Sequence, residues 1–423
     1  LFIETTATYT DDGRFVTSVT DTNFHKTFYT TDPVTGLVTS MTNAKDQTVN
    51  YTYNNQNQVS SVTQGDKTVN YTYNDQNLLS KIQQGEREYQ FAYDSFLNPK
   101  TVKIGDSITL VENTYEGYNG NLSSIVYGNG DQITYDYDEF DRVDTIHKMD
   151  KNYHYRYDNS GNIAKILTSS PNSTYDLVPN KPATLYHPSI RCRYDIANRP
   201  VEYENGSFQI YYQYDSNDNV TKKRYKLYNL NDTIENTFNK DDMLTQMNLD
   251  QQQLNYQYDS LGRLISKKIN GQNFSIYDYV SHGKRTSNLV SSVQNGDHKY
   301  SYQYDKLDNI THVYYDDVLQ NKYTYDIYNQ LIEEENYKTN EKIEYTYDLY
   351  GNLLTKIVTD MNNDTIIKTD TYEYTNSQWK DQLTKYNNQI ITYDGLGNPL
   401  TIGSNIAMSW INGRSLNSYT DSG

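Results

Sequence analysis

One unit recurs along the chain at a spacing of about 20 residues, and a repeat of that length constrains the fold more than any other feature of the sequence. It reads aromatic-x-Tyr-Asp-x-x-Gly-Asn-Leu. The clearest copies are Tyr155-Arg156-Tyr157-Asp158-Asn159-Ser160-Gly161-Asn162-Ile163, Tyr256-Gln257-Tyr258-Asp259-Ser260-Leu261-Gly262-Arg263-Leu264 and Tyr345-Thr346-Tyr347-Asp348-Leu349-Tyr350-Gly351-Asn352-Leu353. Weaker copies centre on Tyr53, Tyr73, Tyr93, Tyr137, Tyr194, Tyr214, Phe238, Tyr304, Tyr325 and Tyr393, the last followed by Asp394 and Gly397.

The unit predicts a β-hairpin. Aromatics at i and i+2 fall on one face of a strand, so each Tyr-x-Tyr pair lays two rings on one side of a sheet. The Asp opens a type I turn whose fourth residue takes positive φ, as in a three-residue hairpin. Such a position should hold Gly, Asn or Asp. It reads Gly161, Gly262, Gly351 and Gly397, then Asn57, Asn77, Asn198 and Asn329, then Asp141, Asp218, Asp242 and Asp308, with Leu97 as the exception. A disordered Asn-rich chain has no reason to restrict one phase of its repeat in this way. An aliphatic residue such as Val59, Val143, Ile163 or Leu264 then opens the return strand.

A hairpin of this size is marginal alone, so successive units are expected to pair edge to edge and share one face. Twist and the need to hide edges make so long an antiparallel ribbon coil. The expected fold is therefore all-β: antiparallel hairpin repeats coiled into a spiral shell, forming part of a closed, barrel-like wall. Residues 1–423 read as a single array and a fragment of a longer protein, with insertions near 169–190, where Pro171, Pro179, Pro182 and Pro188 cluster, and near 277–298.

Composition excludes several functions. Tyr numbers 46 in a chain whose apolar fraction is only 35%, so the rings must supply the packed surface that Leu and Phe do not. A net charge of −17 repels nucleic acid and anionic membranes, and no apolar run is long enough to span a bilayer. Cys192 is the only cysteine, too few for a disulfide framework or a thiolate metal site. The histidines, His25, His147, His154, His187, His282, His298 and His312, are scattered without the spacing of a metal-binding helix, and the closest pair, His147 and His154, reads as strand-surface residues. Asx-turn chemistry accounts for the turn aspartates without calcium. Neither a phosphate loop nor a nucleophile elbow is present, and the carboxylates recur as turn residues. The sequence thus offers no catalytic residue, metal ligand or cofactor site.

Taken together, these units resemble the YD repeats of the Rhs family, shared with teneurins and the C components of insecticidal toxin complexes. The resemblance spans roughly residues 5–423 and is closest to Gram-positive members around Trp379-Lys380-Asp381-Gln382-Leu383, Tyr393-Asp394-Gly395-Leu396-Gly397-Asn398-Pro399 and Trp410-Ile411-Asn412-Gly413-Arg414. It implies a secreted or cell-surface protein whose hollow shell encloses a toxic C-terminal cargo domain of the same polypeptide. The family's closing region is expected beyond Gly423. The competing expectation is an adhesion module for a cell-surface receptor, as in teneurins, or for cell-wall glycan.

Overall fold

The computed structural model describes residues 1–117, 119–171 and 190–422. Every regular element among them is a strand, and the 38 strands from Thr6–Tyr9 to Ser415–Asp421 form one open sheet. Each strand pairs antiparallel with its predecessor and its successor in the chain, as Val59–Gln64 does with Thr48–Tyr53 and Lys67–Tyr73. This is the order that consecutive hairpins enforce.

The two ends of most hairpins use different turn chemistry. At the Tyr-Asp end the pairing steps by one residue beside the second Tyr: Thr52 faces Ser61, but Tyr53 faces Val59. The same step stands at Tyr73, Tyr137, Tyr157, Tyr258 and Tyr347. It is the bulge that follows a type I turn closed by a left-handed residue, and it adds twist at every repeat. At the other end short turns close the ladder, several of them of two residues. Asn270-Gly271, Asp316-Asp317 and Asn387-Asn388 have both central residues at positive φ, the primed geometry that matches strand twist.

The sheet is a single layer. In Thr48–Tyr53 the rings of Tyr51 and Tyr53 are half-buried while Thr52 between them faces solvent, and the pattern recurs at Thr72, Gln213, Gln257 and Thr346. Few apolar side chains are fully buried, Ile104 and Leu396 foremost. The chain exposes 25325 Å², against about 17,000 Å² for a compact globule of its mass. The excess is what a wall with two wet faces requires.

Two expected insertions have different outcomes. The stretch near 277–298 is no loop: Gln272–His282 and Arg285–Asn295 pair as a long hairpin, kept in register by shifts on either side of Tyr279. The Asp turn is absent here, so the strands run on to a tip at Gly283-Lys284. The other stretch, 169–190, lies almost wholly outside the described residues; before it Ile163–Ser169 is a strand, and after it Ile190–Tyr194. None of the described helices is long and apolar enough to cross a membrane, since none is present.

Candidate functional site: the tyrosine clasp and the seam between turns

Each Tyr-Asp turn is held by its own first residue. Asp158 Oδ1 accepts the N–H groups of Ser160 and Asn162, both at 2.9 Å. Asp259 does so from Leu261 and Arg263, Asp348 from Tyr350 and Asn352, and Asp394 from Leu396 and Asn398. The Asn162 N–H, foremost among its partners, holds the Asp158 carboxyl below its ordinary range. The fourth residues Gly161, Gly262, Gly351 and Gly397 have φ of +86°, +77°, +88° and +83°. Leu97, out of place in the sequence pattern, takes φ +71° all the same. The surrounding turn imposes the geometry on a residue that disfavours it.

The tyrosine before each Asp reaches back to the preceding repeat. Tyr53 donates its hydroxyl to the Val38 carbonyl at 2.7 Å, Tyr73 to Val59, Tyr93 to Leu79, Tyr137 to Leu122, Tyr157 to Val143 and Tyr194 to Ile163. Tyr214 donates to Pro200, Tyr258 to Leu244, Tyr304 to Val290, Tyr325 to Ile310, Tyr347 to Leu331 and Tyr393 to Leu383. In most copies the accepting carbonyl is the one that opens the previous return strand, and at Leu122 and Val290 it likewise stands at the bulge. The ring packs and the hydroxyl clasps one repeat to the next.

Sequence reasoning missed several clasps. Tyr115 serves Pro99 and Tyr279 serves Leu264, while Trp410 donates its indole N–H to Pro99's counterpart Pro399 at 2.7 Å. Phe238 has no hydroxyl, and Asn236 Nδ2 serves the Val220 carbonyl in its place at 2.9 Å. The turn chemistry also extends further toward the N-terminus than the sequence pattern showed. Asp21 and Asn43 hold their turns as Asp158 does.

The second feature is a seam. After one circuit, the Tyr-Asp tips of the later repeats rest on the opposite tips of the earlier ones. Gln64 Nε2 donates to the Ile327 carbonyl at 2.7 Å, and the Asp66 N–H reaches the Tyr328 hydroxyl. One repeat on, Gln84 Nε2 donates to the Leu349 carbonyl, and the Glu86 N–H to the Tyr350 hydroxyl. In both, the tip offers Gln-Gly-acid-base, with Lys67 and Arg87 lying over the rings of Tyr328 and Tyr350. Farther along, Asn129 binds Asp394, Asp131 accepts the Gly413 N–H at 2.8 Å, and Asn412 donates to Asp150.

The partners lie 262 residues apart at Asp66 and Tyr328 and 265 at Asn129 and Asp394. Counted in strands both offsets come to 23, and a circuit of 23 strands at about 4.8 Å each has a perimeter on the order of 110 Å. Gly128 and Gly395 meet backbone to backbone at this seam, where a Cβ on Gly395 would lie 2.0 Å from the Gly128 oxygen. The sheet therefore winds past itself as a spiral and does not close hydrogen bond to hydrogen bond as a barrel would. The first and last strands do not pair with each other, and among the described residues only Phe2, at the first end, forms a β-bridge across the seam, to Arg285.

No protein-family model and no curated protein matches the chain. Among solved structures it is similar to TcdB2-TccC3 with Cdc42, at a TM-score of 0.63 and 12% identity over 98% of this chain. It is likewise similar to TcdB2-TccC3 without its hypervariable C-terminal region, at a TM-score of 0.64 and 12% identity over 98% of the chain. In both cases it spans 26% of the length of the matched chain. The chain has the antiparallel β-shell fold of the TcdB2-TccC3 toxin-complex chains, a fold consistent with the Rhs/YD-repeat family that its Tyr-Asp turns resemble.

Proposed function

We propose that the chain is a length of shell wall that encloses a toxin domain carried C-terminal to it on the same polypeptide and helps deliver it outside the cell, with no catalysis of its own. The observation that carries this reading is the seam. A sheet that serves only as a binding surface has no need to stack one circuit on another, whereas a container must shut the gap between circuits. The side chains support the same view. The turn carboxylates are engaged by main-chain N–H groups, as at Asp158 and Asp348, and the repeat tyrosines by carbonyls, as at Tyr157 and Tyr347. Chemistry is thereby committed to holding the wall.

The test is protease protection in the full polypeptide. A cargo domain following the shell should resist digestion until the shell is opened by denaturant or by seam substitutions. Digestion of that domain at the same rate with the shell intact would overturn the proposal and leave surface adhesion as the better reading.

A further inference from the structure

The seam holds a cluster that neither turn chemistry nor the clasp explains. His25, in the tip Asp21–His25 of the first circuit, faces Asp308 in the Tyr-Asp turn of the second. His25 Nδ1 stands 3.4 Å from Asp21 Oδ2 and 3.7 Å from Asp308 Oδ1, and one ligand atom from each residue lies within 4.8 Å of the others. Ligand atoms placed 2.0–2.2 Å from a tetrahedral ion are about 3.3–3.6 Å apart, so the spacing fits an ion better than it fits hydrogen bonds. His25 Nδ1 is in fact buried with no hydrogen-bond partner. So is Asn23 Oδ1, on the residue between Asp21 and His25 in the same tip.

Orphaned buried polar atoms are uncommon and call for an unseen partner. Here two of them sit on one tip beside two carboxylates. Asp21 has a free oxygen to offer, because Oδ1 alone accepts the turn N–H groups of Asn23 and His25 and leaves Oδ2 for Asp308's side of the seam. A cavity of about 400 Å³ lined by Asn23, His25, His282, Tyr302 and Asp305 gives access from one side.

We propose that Asp21, His25 and Asp308 bind a divalent transition-metal ion of the zinc class, with Asn23 Oδ1 or water as the remaining ligand, and that the ion fastens the second circuit to the first. One imidazole nitrogen with carboxylate oxygens is a donor set suited to zinc, cobalt or manganese. The ligands come from two circuits, so the site exists only in the wound spiral and binding stabilises winding.

The other repeats supply variants that should fold. Asn43 and Gln47 occupy the positions of Asp21 and His25 in the next tip of the first circuit, and Asn329 occupies that of Asp308 in the next Tyr-Asp turn, at φ +63°. Asp21→Asn, His25→Gln and Asp308→Asn therefore keep the turns while removing ligands.

The chain, stripped of metal with a chelator, should take up one equivalent of Co²⁺ with a visible d–d band. Each single substitution should weaken uptake about tenfold or more and the triple variant should abolish the band. Zn²⁺ should raise the Tm of the parent chain and leave that of the triple variant unchanged. A parent chain that binds no Co²⁺ at micromolar concentration overturns the proposal, and so does a triple variant that binds it with unchanged stoichiometry and affinity.

Discussion

A tyrosine hydroxyl at the end of each repeat does what the ring alone does not: it satisfies a carbonyl that the bulge leaves out of the ladder. A net hydrogen bond of this kind contributes about 0.5–1.5 kcal/mol, so Tyr347→Phe should destabilise by about 1 kcal/mol in denaturant titration. The Phe238 repeat gives an internal control. Asn236→Ala should cost a similar amount there, because Asn236 is the side chain that serves the Val220 carbonyl. Asn113→Ala should cost less, because Tyr115 serves the Pro99 carbonyl as well. Equal costs for the two asparagines would refute the clasp. Leu97 makes the opposite prediction: it sits at φ +71°, so Leu97→Asn should stabilise by about 1 kcal/mol, read as a raised midpoint.

The same residues set a response to alkali. Burial above all raises the phenols of Tyr157, Tyr258, Tyr304 and Tyr347 above their ordinary range, and burial followed by the charge of Cys192 pushes Tyr194 to about 12. A folded value above the unfolded one favours the protonated, folded form. The stabilisation is complete below the unfolded value of 10.0 and is lost as pH rises through the folded values. Tyrosinate absorbance should therefore lag behind free tyrosine and then rise together with loss of strand signal. Titration of all tyrosines near the free value, with the fold intact, would contradict this.

At the scale of the element, the hairpin was legible because its determinants lie within a few residues of one another. Asp158 to Asn162 carries the whole turn, and the restriction to Gly, Asn and Asp at one position reports its backbone directly. The clasp was half legible: the tyrosines stood out as a period, but their target carbonyls belong to the previous repeat and no side chain marks them. The insertion expected near 277–298 is a paired hairpin in which Tyr279 keeps its clasp to Leu264 although the Asp turn is lost. Pairing there rests on the aromatic, and the missing Asp misled. His147 and His154, expected on a strand surface, lie on strands, as do His282, His298 and His312. His25 lies in a turn at the seam, and His187 falls outside the described residues.

At the scale of the whole molecule the seam was illegible. Its residue offset differs from tip to tip, 262 at Asp66 and Tyr328 but 271 at Ser107 and Gln378, because the repeats differ in length. Gly395 shows what this conceals: in the sequence it is an ordinary turn residue, and in the spiral it touches the backbone of Gly128. Gly395→Ala should cost about 1–3 kcal/mol through overpacking, whereas Gly206→Ala, where an added Cβ meets nothing within 4 Å, should be near neutral. Matching midpoints for the two variants would remove the close approach from the account.

The central claim is that one layer of sheet winds past itself around an open interior. Electron cryomicroscopy of the purified chain tests it most directly. The account predicts a single-layered β wall with a hollow interior, in which the tip bearing Asp66 abuts the tip bearing Tyr328. A solid particle, or an extended ribbon in which those two tips lie far apart, would contradict it.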